Sequence, residues 1–437
     1  MLPWPKVVLG TVAFTVFWLT AVFNSLPILP IGRTAGAIVG AMLMVIFQIV
    51  TPTEAYDSID LPVLGLLFGT MVVSIYLERV DAFKHLGKAL AWRSMGPRDL
   101  LTRICLVSGT TSAFFTNDTC CTVLTGFVLR MTREHNLPPH PFLIALATSA
   151  NIGSSATPIG NPQNLVIATK AGISFRTFLA GVLPASILGL IVNTFLLQVV
   201  YWRDLSPEQH THHVSYSALN GHSNSESTSD CLFSKKNMWT CSVYTVTIAM
   251  MVALVMGLNM SWTALTAAFT MVILDFTDAY PSLEKVSYSL LVFFCGMFMT
   301  MHGLEKTGIP SSLWALLEPY SSINTITGLL MASFIIVVLC NLISNVPAVL
   351  LIGSRMAASA ALISTYYEKK AWLVLALVST VAGNLTLLGS AANMIVCEQA
   401  SRNQVEAYDL TVWTHLKFGL PSTIIVIAAS LFLVDYF

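Results

Sequence analysis

Charge is what this chain has least of. Asp, Glu, Lys and Arg together make up 10% of its 437 residues and cancel to a net charge of zero. A soluble domain carries roughly 25% charged residues, so this sequence cannot build an ordinary water-exposed surface. The neutral balance, with no basic run interleaved with aromatics, removes the electrostatic case for nucleic acid as a partner. Paired cysteines are missing too. The eight present, Cys105, Cys120, Cys121, Cys231, Cys241, Cys295, Cys340 and Cys397, show no CxxC spacing. Most fall in apolar segments and act there as small hydrophobes, so no disulfide framework or zinc site is expected. Neither HExxH nor Gly-x-Ser-x-Gly occurs, which leaves no case for an embedded enzyme or a cofactor. The first apolar run lacks a small-residue cleavage signature and reads as a retained span, not a signal peptide.

Apolar residues supply what charge does not. They make up 55% of the chain, with a mean hydropathy of +0.73, the composition of a polytopic membrane protein. Apolar segments at about 5–24, 31–50, 61–78 and 175–202 are each near the length needed to cross a bilayer, as are those at about 238–257, 261–276, 286–303 and 412–436. In 79–100, Arg79, Lys84, Lys88 and Arg93 alternate with Val80, Phe83, Leu86 and Trp92, the pattern of a helix lying in the interface; 304–321 holds the same place later. Residues 203–237 form a linker too polar to bury a core. Its histidines, His210, His212, His213 and His222, suit a solvated loop better than a metal site.

Four apolar segments are interrupted by polar residues. The stretch 101–131 has Thr116-Asn117-Asp118-Thr119 at its centre and reads as a re-entrant hairpin, because Asn-Asp at mid-depth is costly without a turn or partner. The segment 141–169 is broken between Asn151 and Asn164 by Gly153, Pro158, Gly160 and Pro162. A second hairpin is expected at 325–355 around Ser344-Asn345, and a second broken helix at 371–398 between Gly383 and Asn393. The halves match residue by residue. Gly69 matches Gly296, Glu78-Arg79 matches Glu305-Lys306, Thr116-Asn117 matches Ser344-Asn345, and Thr157 through Asn164 matches Thr386 through Asn393. Such a repeat is the first thing to seek. The expected fold is all-α and polytopic, with two repeats, 1–202 and 238–437. Each has five transmembrane helices plus a re-entrant hairpin, one of the five being broken. An odd number of crossings inverts the second repeat, as in secondary transporters. Lys and Arg then put the linker in the cytoplasm and both termini outside.

Four polar clusters meet in this scheme, and their candidate solute ligands are Thr116, Asn117, Thr119, Asn151, Ser154, Ser155, Thr157, Gly160, Asn161, Asn164, Ser344, Asn345, Asn384, Thr386, Gly389, Ser390 and Asn393. One such residue is usually interhelical glue; four clusters beside Gly and Pro breaks point to a transport site. Asp118 is the one carboxylate. Desolvation favours its protonated form, which suits proton coupling, and a capping carboxylate at the hairpin turn is the equal alternative. Glu78-Arg79 and Glu305-Lys306 read as surface pairing. Cys120 and Cys121 could meet a thiophilic solute, though ordinary packing explains them. No Arg or Lys lies in any cluster, so a neutral polyhydroxylated solute fits better than an anion.

The hairpin Phe-Phe-Thr-Asn-Asp-Thr-Cys-Cys (114–121), the run from Ala150 to Asn164 and Ser-Asn-Val-Pro-Ala (344–348) resemble the arsenite-permease and citrate-transporter branch of the ion transporter superfamily. Leu-Pro-Ile-Gly-Arg-Thr-Ala-Gly (29–36), the run 59–75 and Gly-Asn-Pro-Gln-Asn (160–164) are similar to the plant silicon efflux transporters within it. The resemblance implies a plasma-membrane exporter of silicic acid, with arsenite as a second substrate, driven by the transmembrane proton gradient in antiport. It also implies a homodimer of scaffold and transport domains moving by an elevator-like mechanism, with Asn117, Asp118 and Thr119 at one hairpin tip and Ser344 and Asn345 at the other. The tips read Thr-Asn-Asp and Ser-Asn-Val where sodium-coupled relatives tend to have Ser-Asn-Thr, which fits protons better than sodium. Two rivals stay open: a sodium-coupled dicarboxylate or citrate carrier, and a metalloid channel.

Overall fold

Proline and threonine punctuate the helices. The computed structural model describes residues 3–22, 32–82, 96–205, 230–275, 278–402, 408 and 410–435, with side chains from 238 onward in the stretch that begins at 230. Most of the predicted interfacial helix at 79–100, and most of the linker with its four histidines, lie outside these residues. The first half contains α1 (Trp4–Val22), α2 (Arg33–Ile46), α3 (Pro52–Asp57), α4 (Leu61–Arg79), α5 (Pro97–Phe114), α6 (Asn117–Glu134), α7 (Pro139–Ser154), α8 (Pro162–Ala171) and α9 (Phe175–Val200). The second contains α10 (Asp230–Val255), α11 (Met260–Leu274), α12 (Tyr280–Leu283), α13 (Tyr288–Lys306), α14 (Ile309–Leu317), α15 (Ile326–Ile343), α16 (Asn345–Ala361), α17 (Thr365–Ala382), α18 (Ala391–Ser401) and α19 (Val412–Ser430). Proline opens α3, α5, α7 and α8, where its missing N–H would have had no helical partner.

Among the described residues, seven helices are long and apolar enough to cross a membrane. The segments expected to span at 31–50 and 261–276 are shorter than predicted. Helix α2 has 14 residues and α11 has 15, a rise of about 21–22 Å against a hydrocarbon core of about 30 Å. Gln48 at φ 54° ends the first of them, and a Thr51–Glu54 capping box restarts the chain as α3. Asp275 turns to extended backbone to end the second.

These short helices build a reciprocal frame. Helix α2 packs against α13, and α4 packs against α11. A Cβ on Gly69 would come within 2.6 Å of the Ala264 carbonyl carbon, and one on Gly296 within 2.6 Å of the Ala37 carbonyl carbon. The glycines matched from sequence therefore serve the same close approach, each against the other half. The basic residues that end α4 and α13 also reach across: Arg79 pairs with Asp275, and Lys306 with Glu54. Glu305 pairs with Arg355 of α16 at 3.5 Å. The Lys306 hydrogen bond, aided by Thr51, lowers the Glu54 carboxyl from its ordinary 4.5 to about 2. Its contribution is therefore complete above about pH 4.5 and lost only as pH falls through about 2.

The remaining helices pack as two hairpins on two broken helices. In the first hairpin α6 folds back along α5, bringing the Cys120 Sγ to 3.5 Å from the Ser108 carbonyl. It rests on α7 and α18, while the second hairpin, α15 and α16, rests on α17 and α8. Each hairpin thus touches the broken helix of both halves.

Gly69→Ala should destabilise the detergent-solubilised protein by about 1–3 kcal/mol, as overpacking against backbone does. A Cβ on Gly126 in α6 meets nothing within 4 Å, so Gly126→Ala should be neutral or stabilising by up to about 1 kcal/mol. Equal melting temperatures for the two variants would mean that the α4–α11 approach does not limit stability.

Candidate functional site

Breaking a helix orphans carbonyls that must find donors where water is scarce. Both breaks solve this with one asparagine. Asn164 Nδ2 donates to the carbonyls of Ser154, Ser155 and Thr157, at 3.1, 3.2 and 3.1 Å. Asn393 Nδ2 donates to those of Gly383 and Thr386, at 2.8 and 3.1 Å. The carbonyls ten and seven residues back are used in both cases. Asn161 caps α8 through the Asn164 N–H at 2.9 Å, and Ser390 caps α18 through the Ala392 N–H at 3.2 Å. Gly160 has to be glycine, since a Cβ there would lie 2.2 Å from the Ser154 carbonyl oxygen.

The two breaks are tied to each other. Thr380 Oγ1 of α17 donates to Asn164 Oδ1 at 3.2 Å, and Asn151 Nδ2 of α7 donates to Asn393 Oδ1 at 3.0 Å. Each broken helix thus orients the asparagine that closes the other. Asn151 is the hub. Its Nδ2 also donates to Asn384 Oδ1 at 2.8 Å, and its Oδ1 accepts from Asn117 Nδ2 and Ser390 Oγ, both at 2.9 Å. That uses all its donors and acceptors at 1% exposure. Asn161 Nδ2 adds bonds to Ser154 Oγ at 3.1 Å and Thr380 Oγ1 at 3.2 Å.

The first hairpin tip docks on this network. The Asn117 N–H donates to the Gly160 carbonyl at 3.0 Å, Thr157 Oγ1 donates to the Ala113 carbonyl, and Thr116 and Thr119 hydroxyls bond to each other at 2.9 Å. The second hairpin meets the second break through Asn341, whose Oδ1 accepts from Thr386 Oγ1 at 2.9 Å; a Cβ on Gly389 would lie 2.8 Å from the same oxygen. Its tip is different. Ser344 has φ 73° and ψ 158°, a region nearly confined to glycine that costs another residue about 1–3 kcal/mol, and it caps nothing with its side chain. Asn345 is buried, and its Oδ1 has no partner.

Of the predicted ligands, the structure brings Asn117, Asn151, Asn384, Ser390 and Asn393 into one hydrogen-bonded cluster. Ser154, Asn161 and Asn164 form a second cluster around Thr380. Ser155 pairs instead with Ser186 at 2.6 Å. Ser344 and Asn345 make no side-chain bond to either cluster among the described residues. The saturated asparagines hold the breaks closed and leave little capacity for a solute. What is free is Asn345 Oδ1 and Asp118, whose carboxylate takes no hydrogen bond or ion pair among the described residues; the charge that acts on it through space is Arg33. Cys120 and Cys121 are fully buried packing groups. Sequence reasoning missed Thr380, Asn341, Ser186, His415 and Asn193, the last of which donates to Thr148 and Ser149 hydroxyls at 3.0 and 3.2 Å. A lone Asn or His in an apolar span was the available signal.

The citrate transporter family profile matches residues 15–382. The chain is 52% identical to the silicon efflux transporter LSI3 of Oryza sativa subsp. japonica, over 98% of this chain and 97% of that protein. It is 31% identical to the putative transporter arsB of Dictyostelium discoideum, over 91% and 86%. The solved structure of the Alcanivorax borkumensis YdaH transporter covers 99% of this chain and 97% of its own at a TM-score of 0.53, with 14% identity, a likeness of fold alone.

Asn164→Ala leaves the Ser155 carbonyl without its donor, at about 1–3 kcal/mol where it stays buried, and leaves the Ser154 and Thr157 carbonyls with only the longer bonds from Asn161 Nδ2 and the Gly160 N–H, at 3.4 and 3.3 Å. The variant should melt well below wild type. Thr116→Ala, at a half-buried cap, should lose only about 1 kcal/mol. A wild-type melting curve for Asn164→Ala would remove the asparagine closure as the element that holds the break.

Proposed function

The chain belongs to the citrate transporter family, and from that premise we propose that it is a secondary active carrier exporting silicic acid, with arsenite as a second substrate. That it is a multi-pass membrane transporter and not an enzyme follows from the family, its relatives and its apolar helices. The substrate rests on one observation above all: among the described residues no Lys or Arg is buried, so the polar core holds no fixed positive charge for an anion. A neutral hydroxylated acid can exchange hydrogen bonds with amides and hydroxyls without an opposite charge to desolvate. The silicon efflux transporter of rice and the arsB transporter of Dictyostelium, both similar to this chain, support the same class.

The solute site is at the two hairpin tips. Asn345 has free hydrogen-bonding capacity in a buried position, and Asp118 lies on the opposite tip. The asparagines of the breaks shape the site and keep its backbone in place. Export is driven by proton antiport with Asp118 as a coupling group. Reciprocal packing of the halves supports two inverted repeats, in which the frame (α1–α4, α10–α14) is the scaffold and the hairpins with the broken helices move against it in an elevator-like cycle. We place the protein in the plasma membrane as a homodimer, with the linker cytoplasmic and the termini outside.

Reconstituted vesicles test this with silicic acid, arsenite and citrate under imposed proton or sodium gradients. Saturable silicic acid flux driven by protons is expected. Citrate flux driven by sodium alone would make the protein an organic-anion carrier, and non-saturable flux indifferent to either gradient would make it a channel. Asn345→Ala should raise the apparent KM for silicic acid about tenfold, the value of one buried hydrogen bond of ~1.4 kcal/mol. An unchanged KM moves the site away from the second tip. Asp118→Asn should fold normally and lose proton-driven export; full gradient-driven activity would take Asp118 out of coupling.

A further inference from the structure

One ionisable side chain is buried in the core without a role so far. Two Asp, Glu, Lys, Arg or His side chains among the described residues are this well covered: Asp275, at 2% exposure, is paired with Arg79 in the frame, and His415, at 1% exposure, is not in an ion pair. It occupies the start of α19, within one of the seven apolar helices. An ionisable residue inside a membrane helix is expensive, and such residues mark ion and substrate paths. Its Nε2 lies 3.0 Å from the Asn384 carbonyl oxygen and 3.5 Å from Asn393 Nδ2. Asn393 already donates both amide hydrogens to Gly383 and Thr386. The proton therefore sits on Nε2 and is donated to Asn384. In this tautomer Nδ1 keeps a lone pair, and it makes no hydrogen bond among the described residues.

The matching position in the first half shows that the fold does not require an imidazole. Ser174 and Thr411 cap the two helices, and Pro184 and Pro421 each lie ten residues beyond the cap, which sets Phe178 of α9 at the place of His415 in α19. A fully buried phenyl ring fills that place in the first half. The histidine adds the ability to take and release a proton next to Asn384, whose side chain bonds the Asn151 hub.

We propose that His415 is a proton-carrying residue of the transport cycle. A hydronium ion on one side of the membrane gives its proton to Nδ1, forming the Nδ1–H bond and leaving water. The reverse step delivers the proton to water on the other side, and the Nε2–H bond to Asn384 persists throughout. Protonation places one switchable positive charge beside the second break, in a core without Lys or Arg. This rests on the carrier reading above. The titratable groups around this end of α19 are few. His140 of α7 acts on His415 through space, Tyr201 beyond α9 and Tyr408 stack on His140, and Asp204 acts on His140 in turn. The break between α17 and α18 contributes only Asn384 and Asn393.

His415→Gln retains an N–H donor for Asn384, and His415→Ser leaves a hydroxyl that does not titrate near neutral pH. In vesicles at equal pH on both sides, both variants should exchange silicic acid across the membrane. Under a pH gradient both should lose substrate-coupled proton flux, read by an internal pH dye, and their exchange should lose the pH dependence seen in wild type. Wild-type proton flux and pH profile in either variant would overturn the proposal. If wild-type protein moves no silicic acid, the carrier reading itself fails. Nitrogen-15 NMR of histidine-labelled full-length protein then decides for His415 alone, its signal identified by its loss in His415→Ser. A signal that titrates between about pH 4 and 9 upholds a proton-binding His415, and one that does not overturns it. The same spectra decide if neither variant folds, since an unfolded variant shows up as a collapse of signal dispersion and the wild-type signal most protected from solvent then serves as His415.

Discussion

Everything in the core answers to one constraint: a helix interrupted away from water must give its freed carbonyls new donors. Two asparagines, Asn164 and Asn393, do this with the same reach, each closing the loop that precedes its own helix. An asparagine suits the task because its Nδ2 offers two hydrogens and its Oδ1 leaves an acceptor by which the group can be oriented. Thr380 and Asn151 supply that orientation from the opposite half. Each break is therefore closed within its own half and oriented by the other.

The frame follows the same logic with different forces. Short helices too brief to span by themselves, α2 and α11, are inserted against α13 and α4 at glycine contacts, and ion pairs close the ends. The backbone approach supplies dispersion that apolar lipid cannot replace, as small residues do between membrane helices. Against this fixed frame the two hairpins differ. The first has its tip capped and hydrogen-bonded to the first break, while the second has a strained serine and an asparagine with an unused acceptor. Between the hairpins, the polar capacity left unspent lies at Asn345 and at Asp118.

Much of the architecture could be read from residue order. Pro158, Gly160 and Pro162 inside an apolar run announce a break regardless of neighbours, because the steric and hydrogen-bonding limits of proline and glycine are local. The match of Gly69 to Gly296 and of Asn164 to Asn393 was legible for the same reason. The lengths of the second and eleventh helices were not, since an apolar composition continues through the Gln48 turn and past Leu274. Nor could composition tell a binding asparagine from a closing one. Asn151 and Asn345 look alike in sequence, yet one has every hydrogen bond made and the other lacks a partner.

What the sequence determined by itself was the solvent and the element type, because hydropathy and backbone chemistry act over a few neighbouring residues. What the tertiary structure alone decided was the pairing: Arg79 with Asp275 rather than its neighbour Glu78, Ser155 with Ser186, and His415 with Asn384. Those contacts join residues from about thirty to about two hundred positions apart. Only the folded packing of the halves brings them within hydrogen-bonding distance, so which polar groups are spent and which remain free is a property of the fold.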